Sequence, residues 1–318
     1  IFHNRQFGVN VNVAAVTLNT SPDRVLGELV REPEPIRVLQ LPEPAARAAY
    51  MEQKGKVITC GNTFYDLVIN CEKGFSLEKI INRWSDGVEL SLDPSSGLEI
   101  VLGEMALTGL DFTAESVRVN GNGAAIELKS TVEAAPLALK IRIRTDDTPQ
   151  IRIGASLVNT GDKPLNTIVK LPAIKDLNIG KHDDTRMFFP KYRNVNSNDY
   201  GFYIAHNNQC FPMQFYDTYN PGEGIGLAVI THNLDSRPLE YSMSKTSTGV
   251  NSSVQYPKQY YKLDPGRPIE LVETCLAPHA GDWHRAMAIY QDWVASWYKP
   301  QHAANRDWYE RFFLLRTE

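Results

Sequence analysis

Short runs of alternating apolar and polar residues fill most of this chain between residues 56 and 275, and one stretch switches to a helical repeat. Leu137–Arg144 shows the alternation most plainly. It reads Leu/Ala/Leu/Lys/Ile/Arg/Ile/Arg, with one apolar and one basic face, the period-two mark of a half-buried antiparallel strand. Similar patterning predicts strands at Lys56–Cys60, Phe64–Cys71, Val88–Leu92, Leu98–Leu102, Ser116–Asn120 and Ala124–Thr131. Further strands are predicted at Gln150–Asn159, Pro164–Leu171, Gly224–Thr231, Leu239–Ser242 and Ile269–Cys275, with another at Gly8–Leu18. Turn chemistry separates them. In Asp93-Pro94-Ser95-Ser96-Gly97 the proline pre-sets φ and the glycine supplies a left-handed position, and Asn159-Thr160-Gly161-Asp162 is a second tight turn. Strands roughly ten residues apart with such turns predict a mainly β antiparallel sandwich or barrel.

Three stretches depart from this pattern. Residues 1–50 are irregular, and Pro33, Pro35, Pro42 and Pro44 break them into a linker or edge segment. Asn178–Gln209 is polar, aromatic and weak in strand periodicity, which points to a functional loop. Residues 279–300 hold one amphipathic helix: Trp283, Ala286, Met287, Tyr290, Trp293, Val294 and Trp297 recur at three- and four-residue steps. Asp282 is placed to cap it and Pro300 to end it. Its aromatic stripe predicts packing onto the sandwich or onto a following domain. Trp308–Leu315 starts a fresh strand pattern, so residues 301–318 are expected to open a further, truncated domain after a main domain at 51–278.

Composition narrows the function classes. The chain has 318 residues, 42% hydrophobic and 22% charged, as in ordinary globular proteins. A formal net charge of −4 gives no basic footprint for nucleic acid, and no apolar run reaches the ~20 residues a membrane span needs. Of four cysteines, none forms a Cys-x-x-Cys pair; Cys60 and Cys71 are read as free buried thiols, with pairing across two strands the alternative. Asn251-Ser252-Ser253 matches a glycosylation sequon. Asp183, Asp184 and Asp199 raise a structural calcium but lack EF-hand spacing; no metal or other cofactor is assigned. Gly222–Gly226 opens no helix and so cradles no phosphate, and neither Gly-x-Ser-x-Gly nor His-Glu-x-x-His occurs.

The ordered set Asp93–Gly97, Ser156–Gly161, Pro212–Asp217 and Gly224–Leu227, followed by the helix Gly281-Asp282-Trp283…Tyr290-Gln291-Asp292-Trp293, resembles a known arrangement. It is similar to the N-terminal β-supersandwich of multidomain glycoside hydrolases, near the endo-α-N-acetylgalactosaminidase-like group, a fold related to galactose mutarotase. The resemblance covers about residues 56–318. It implies that the linking helix leads to a (β/α)8 barrel whose first strand is Trp308–Leu315, with the nucleophile and acid/base carboxylates on barrel strands. No catalytic residue is therefore assigned here. The implied role is a non-catalytic sandwich that supports the barrel and lines its glycan cleft, in a secreted or periplasmic bacterial protein. The alternatives are a stand-alone carbohydrate-binding sandwich, or a mutarotase- or lyase-like accessory domain. For the mutarotase alternative, His206 and His232 are candidates without an assignable acidic partner.

An oligo- or polysaccharide would be held by planar polar groups and stacked on aromatic faces. The richest local supply is Lys191, Tyr192 and Arg193 with Gln214, Asp217, Tyr219 and Asn220, joined by His206. Arg193 and Asp217 are placed to grip hydroxyls, Tyr192 and Tyr219 to stack. The competing reading has these segments packed against the chain's own downstream catalytic domain, as Trp283, Tyr290, Trp293, Trp297 and Trp308 would be.

Overall fold

The structure, a computed structural model, describes residues 44–191, 195–207, 211–259 and 261–298. The predicted segments at residues 1–43 and 301–318, including Gly8–Leu18 and Trp308, lie outside them. In chain order the strands are β1 (Tyr50–Lys54), β2 (Val57–Gly61), β3 (Tyr65–Asn70), β4 (Ser76–Asn82), β5 (Val88–Leu90), β6 (Gly97–Leu102), β7 (Met105–Thr108) and β8 (Phe112–Asn120). Next come β9 (Gly123–Ser130), β10 (Leu137–Arg144), β11 (Ile151–Asn159), β12 (Leu165–Asn166), β13 (Ile168–Leu177), β14 (Arg186–Phe189), β15 (Val195–Ser197) and β16 (Phe202–His206). The last are β17 (Phe215–Asn220), β18 (Ile225–Thr231), β19 (Glu240–Lys245), β20 (Val250–Tyr256), β21 (Lys262–Leu263), β22 (Ile269–Glu270) and β23 (Thr274–Ala280), before helix α1 (Trp283–Trp297).

A ten-stranded sheet runs β15-β14-β17-β18-β23-β11-β10-β9-β8, with β22 also on β11. A six-stranded sheet runs β16-β19-β20-β13-β6-β7, a five-stranded one β1 to β5 in sequence order, and β12 pairs β21. One contiguous core joins the three larger sheets: Ile141 and Ile153 from the first, Val169, Tyr241 and Val254 from the second, Leu67 and Ile80 from the third. The fold is the antiparallel sandwich followed by a helix that the alternation predicts.

Helix α1 begins where expected, with the Asp282 carboxylate accepting from the His284 amide at 3.0 Å. It lies on the outer face of the ten-stranded sheet and builds a second apolar cluster with β17, β18 and β23. Ala286 and Ile289 are buried against the sheet. Trp283 stacks on Phe188 at 4.3 Å, and Tyr290 tilts over Phe215 at 5.2 Å. The sandwich thus takes up most of the stripe, while Trp297 remains exposed.

Several sequence expectations need correction. Asn178–Gln209 is not one loop: it contributes β14, β15 and β16, short strands that leave little room for alternation. Phe215–Asn220 is strand β17, buried at every position, and Val250–Tyr256 is the interior strand β20. Ile269–Cys275 divides between β22 and β23. The sequon lies inside β20, where the Asn251 side chain accepts from the Asp176 amide and Ser252 and Ser253 are buried. Cys60 and Cys71 are separate buried thiols, whose pKa values burial pushes up to about 12.

Candidate functional site

The chemistry collects on the outer face of the ten-stranded sheet, beside the C-terminal half of α1. His232 follows β18, and its Nδ1 lies 3.2 Å from Glu273 Oε1 while its Nε2 lies 2.9 Å from Gln150 Oε1. Arg144, projecting from β10, donates to Glu273 Oε2 at 2.5 Å. Hydrogen bonding to His232, joined by the Arg144 charge, outweighs partial burial and pulls the Glu273 carboxyl down to about 2. Trp293 of α1 stacks on the His232 ring at 4.6 Å and 2°. The acidic partner that the sequence did not disclose for His232 is therefore Glu273. His206 has one too, Glu240, at 3.2 Å across the β16–β19 ladder.

Cys275 completes a set of possible metal donors with His232 and Glu273. Its sulfur lies 3.8 Å from His232 Nδ1 and 3.5 Å from Nε2. A sulfur nearly equidistant from both ring nitrogens is in line with neither lone pair. Both nitrogens already have partners, and burial raises the thiol pKa well above its ordinary value. These contacts hold the His232 imidazole in place.

The sequence-predicted contacts scatter. Lys191 donates to the Ile204 carbonyl at 2.9 Å, and Tyr192 and Arg193 lie outside the described residues. Gln214 accepts from the Asn233 amide at 3.0 Å. Asp217 is fully buried on the helix-facing side of β17, with Oδ1 3.0 Å from His279 Nε2 and Oδ2 without a partner among the described residues. Tyr219 donates to Asn196 at 2.8 Å, and burial raises its hydroxyl pKa to about 12. Asn220 is sealed in the turn that follows β17, donating to the Ile179 and Lys181 carbonyls and accepting from the Gly222 amide. Solvent reaches neither Asp217 nor Asn220.

A lysine lies near the calcium candidates. The Lys245 ammonium donates to the Thr185 and Asn198 carbonyls, both at 2.9 Å, joining the segments that carry Asp183, Asp184 and Asp199. Desolvation lowers its pKa, opposed by those three carboxylates. A built-in cation ties these loops together.

No protein-family model matches the chain, and no curated protein matches it in sequence. Solved structures match its fold. A TPR-domain containing protein from Parabacteroides distasonis overlays with a TM-score of 0.51 at 11% identity, over 77% of this chain and 49% of that one. An α-N-acetylgalactosaminidase from Bifidobacterium bifidum, solved with GalNAc, overlays at 0.51 and 10% identity, over 77% of this chain and 39% of that one. An α-galactosidase from Geobacillus stearothermophilus, at 0.48 and 11% identity over 77% and 42%, is too loose an overlay to argue from. The chain spans half or less of the length of these structures. No described helix is long and apolar enough to cross a membrane.

Proposed function

We propose that this chain is the β-sandwich portion of a carbohydrate-active glycoside hydrolase, supporting a separate catalytic barrel and walling part of its glycan cleft. The observation that carries the reading is the architecture shared with part of the Bifidobacterium enzyme. Trp297 and Tyr298, left exposed at the end of α1, offer the aromatic surface against which a barrel would seat.

The test compares the natural reading frame with the 318-residue chain on aryl α-galactoside and aryl α-N-acetylgalactosaminide. Hydrolysis by the longer product alone is expected. Hydrolysis by the 318-residue chain, or a reading frame that encodes no further domain, would contradict the proposal.

A second reading, acid–base anomerisation of a free sugar, draws on the carboxylate partners of His206 and His232. It predicts faster mutarotation of freshly dissolved galactose, lost in Glu273→Gln. Because both nitrogens of His232 are engaged and Trp293 covers one ring face, the first reading stays ahead.

A further inference from the structure

Beside the His232 cluster the ten-stranded sheet has a hollow, and sheet register explains it. On the outer face Arg142 of β10 stands opposite Ala125 of β9 and Gly154 of β11, so a long side chain rises between two positions with almost no height. Two β11 residues away, the ladder changes partner. Ser156 pairs with Glu270 of β22, and Ile153 pairs with Thr274 of β23. Leu271–Glu273 between them carries one residue more than the facing Gly154–Ala155, a bulge anchored by the Leu271 amide on the Ala155 carbonyl at 2.7 Å. The result is a cavity of about 370 Å³ lined by Arg142, Arg144, Gly154, Leu271 and Glu273, with bare backbone as its floor.

We propose that this hollow binds a neutral oligosaccharide. Two guanidinium–carboxylate forks wall it, Arg142–Glu270 at 2.6 Å and Arg144–Glu273 at 2.5 Å. Within each fork the charges cancel, so neither a phosphate nor a metal cation meets an uncompensated partner. Each guanidinium has five N–H donors and each carboxylate several lone pairs, so planar donors and acceptors remain side by side. A sugar hydroxyl both donates and accepts, and adjacent hydroxyls match such a fork. The Trp293 indole, one residue further on over His232, adds the aromatic edge. Beyond Glu270, which Arg142 holds, a second hollow of about 660 Å³ is lined by Arg237, Tyr261, Asp264 and Arg267. Glu270 lines that hollow and Arg142 the first, so the ion pair stands between the two.

The choice of a glycan rests on the reading of the preceding section; the site itself rests on register and the two forks. Calorimetry on the 318-residue chain tests it, with galactose, N-acetylgalactosamine and raffinose as probes and inorganic phosphate as control. Gly154→Val fills the floor and leaves every charge in place. Its new Cβ meets the Arg142 guanidinium at an ordinary 3.8 Å, and a β-branched residue suits a strand. Arg142→Met removes one fork. The expected result is sugar binding by the wild type and none of phosphate, with affinity down about tenfold or more in each variant, the scale of one lost charge-assisted hydrogen bond. Unchanged thermal melting of the variants separates a filled site from a damaged fold, and Arg142→Met carries the test if Gly154→Val fails to fold. Wild-type protein that binds none of the sugars, phosphate bound in their place, or both variants binding as wild type would overturn the proposal. An inactive longer reading frame alongside intact sugar binding would fault the hydrolase reading and leave this site standing.

Discussion

Two histidine–carboxylate pairs lie on the same face of the ten-stranded sheet and serve opposite ends. Asp217–His279 is sealed under the N-terminal half of α1, with both side chains fully buried. His232–Glu273, beside the C-terminal half, stays in reach of solvent at 10% and 27% exposure. The sealed pair is over-determined. His279 Nε2 faces Asp217 and Nδ1 faces the Ala280 carbonyl at 3.2 Å, so both ring nitrogens point at acceptors. A neutral imidazole has only one N–H, so the pair must hold an additional proton. Burial opposes that charge, but the Asp217 carboxylate, with the Ala280 carbonyl, more than offsets it and raises the His279 pKa. Gly226 is needed opposite, since any Cβ there would overlap the imidazole. The same constellation is a joint where α1 seals it and stays open to solvent where α1 does not. Which it becomes depends on what α1 covers.

The strongest way to break this contrast is Asp217→Ala. It leaves an imidazole buried with no counter-charge and should cost about 3–5 kcal/mol, as removing one member of a buried pair does. Urea unfolding reads it, and a loss below about 1 kcal/mol would mean the joint is not charged. Lys245→Met should follow at roughly 2–3 kcal/mol, because the Thr185 and Asn198 carbonyls lose a charged donor. If added calcium left wild-type stability unchanged in the same experiment, the ammonium would be confirmed as the tie. Trp293→Ala should cost about 2 kcal/mol, less than a fully buried tryptophan, since the residue is only partly buried and its loss uncovers only the open pair. The smallest effect is in pH. With the His279 pKa raised on folding, the proton's contribution is complete below the unfolded histidine pKa and is lost as pH rises through the folded value. Stability should therefore decline as pH rises above the ordinary histidine range, and His279→Gln should flatten that limb. An unchanged slope in the variant would place the titration elsewhere.

How much of this was legible in the sequence follows from burial. Leu137–Arg144 has one wet face, so its alternation showed, and it forms β10 over those residues. The helix showed itself because its stripe spans four turns behind a capping aspartate. Strand β17, Phe-Tyr-Asp-Thr-Tyr-Asn, has the sandwich core on one side and α1 on the other. A strand covered on both faces loses its period, and its buried polar side chains resembled a ligand loop. Strand β20 hid likewise, because Ser252 and Ser253 are small enough to be buried on either face. The open cluster was out of reach for another reason. His232, Glu273 and Gln150 lie 41 and 82 positions apart and meet only through strand order. The bulge at Leu271–Glu273 depends on a register change that no local pattern carries.

The most direct test of the division between joint and site is histidine-selective NMR of the 318-residue chain, titrated with N-acetylgalactosamine or raffinose. The account predicts that the His232 imidazole resonance moves as sugar enters beside Glu273, while His279 stays fixed and protonated above the pH at which free histidine titrates. A His279 resonance that follows the sugar, or a His232 resonance that ignores every glycan while His279 titrates as in water, would contradict it.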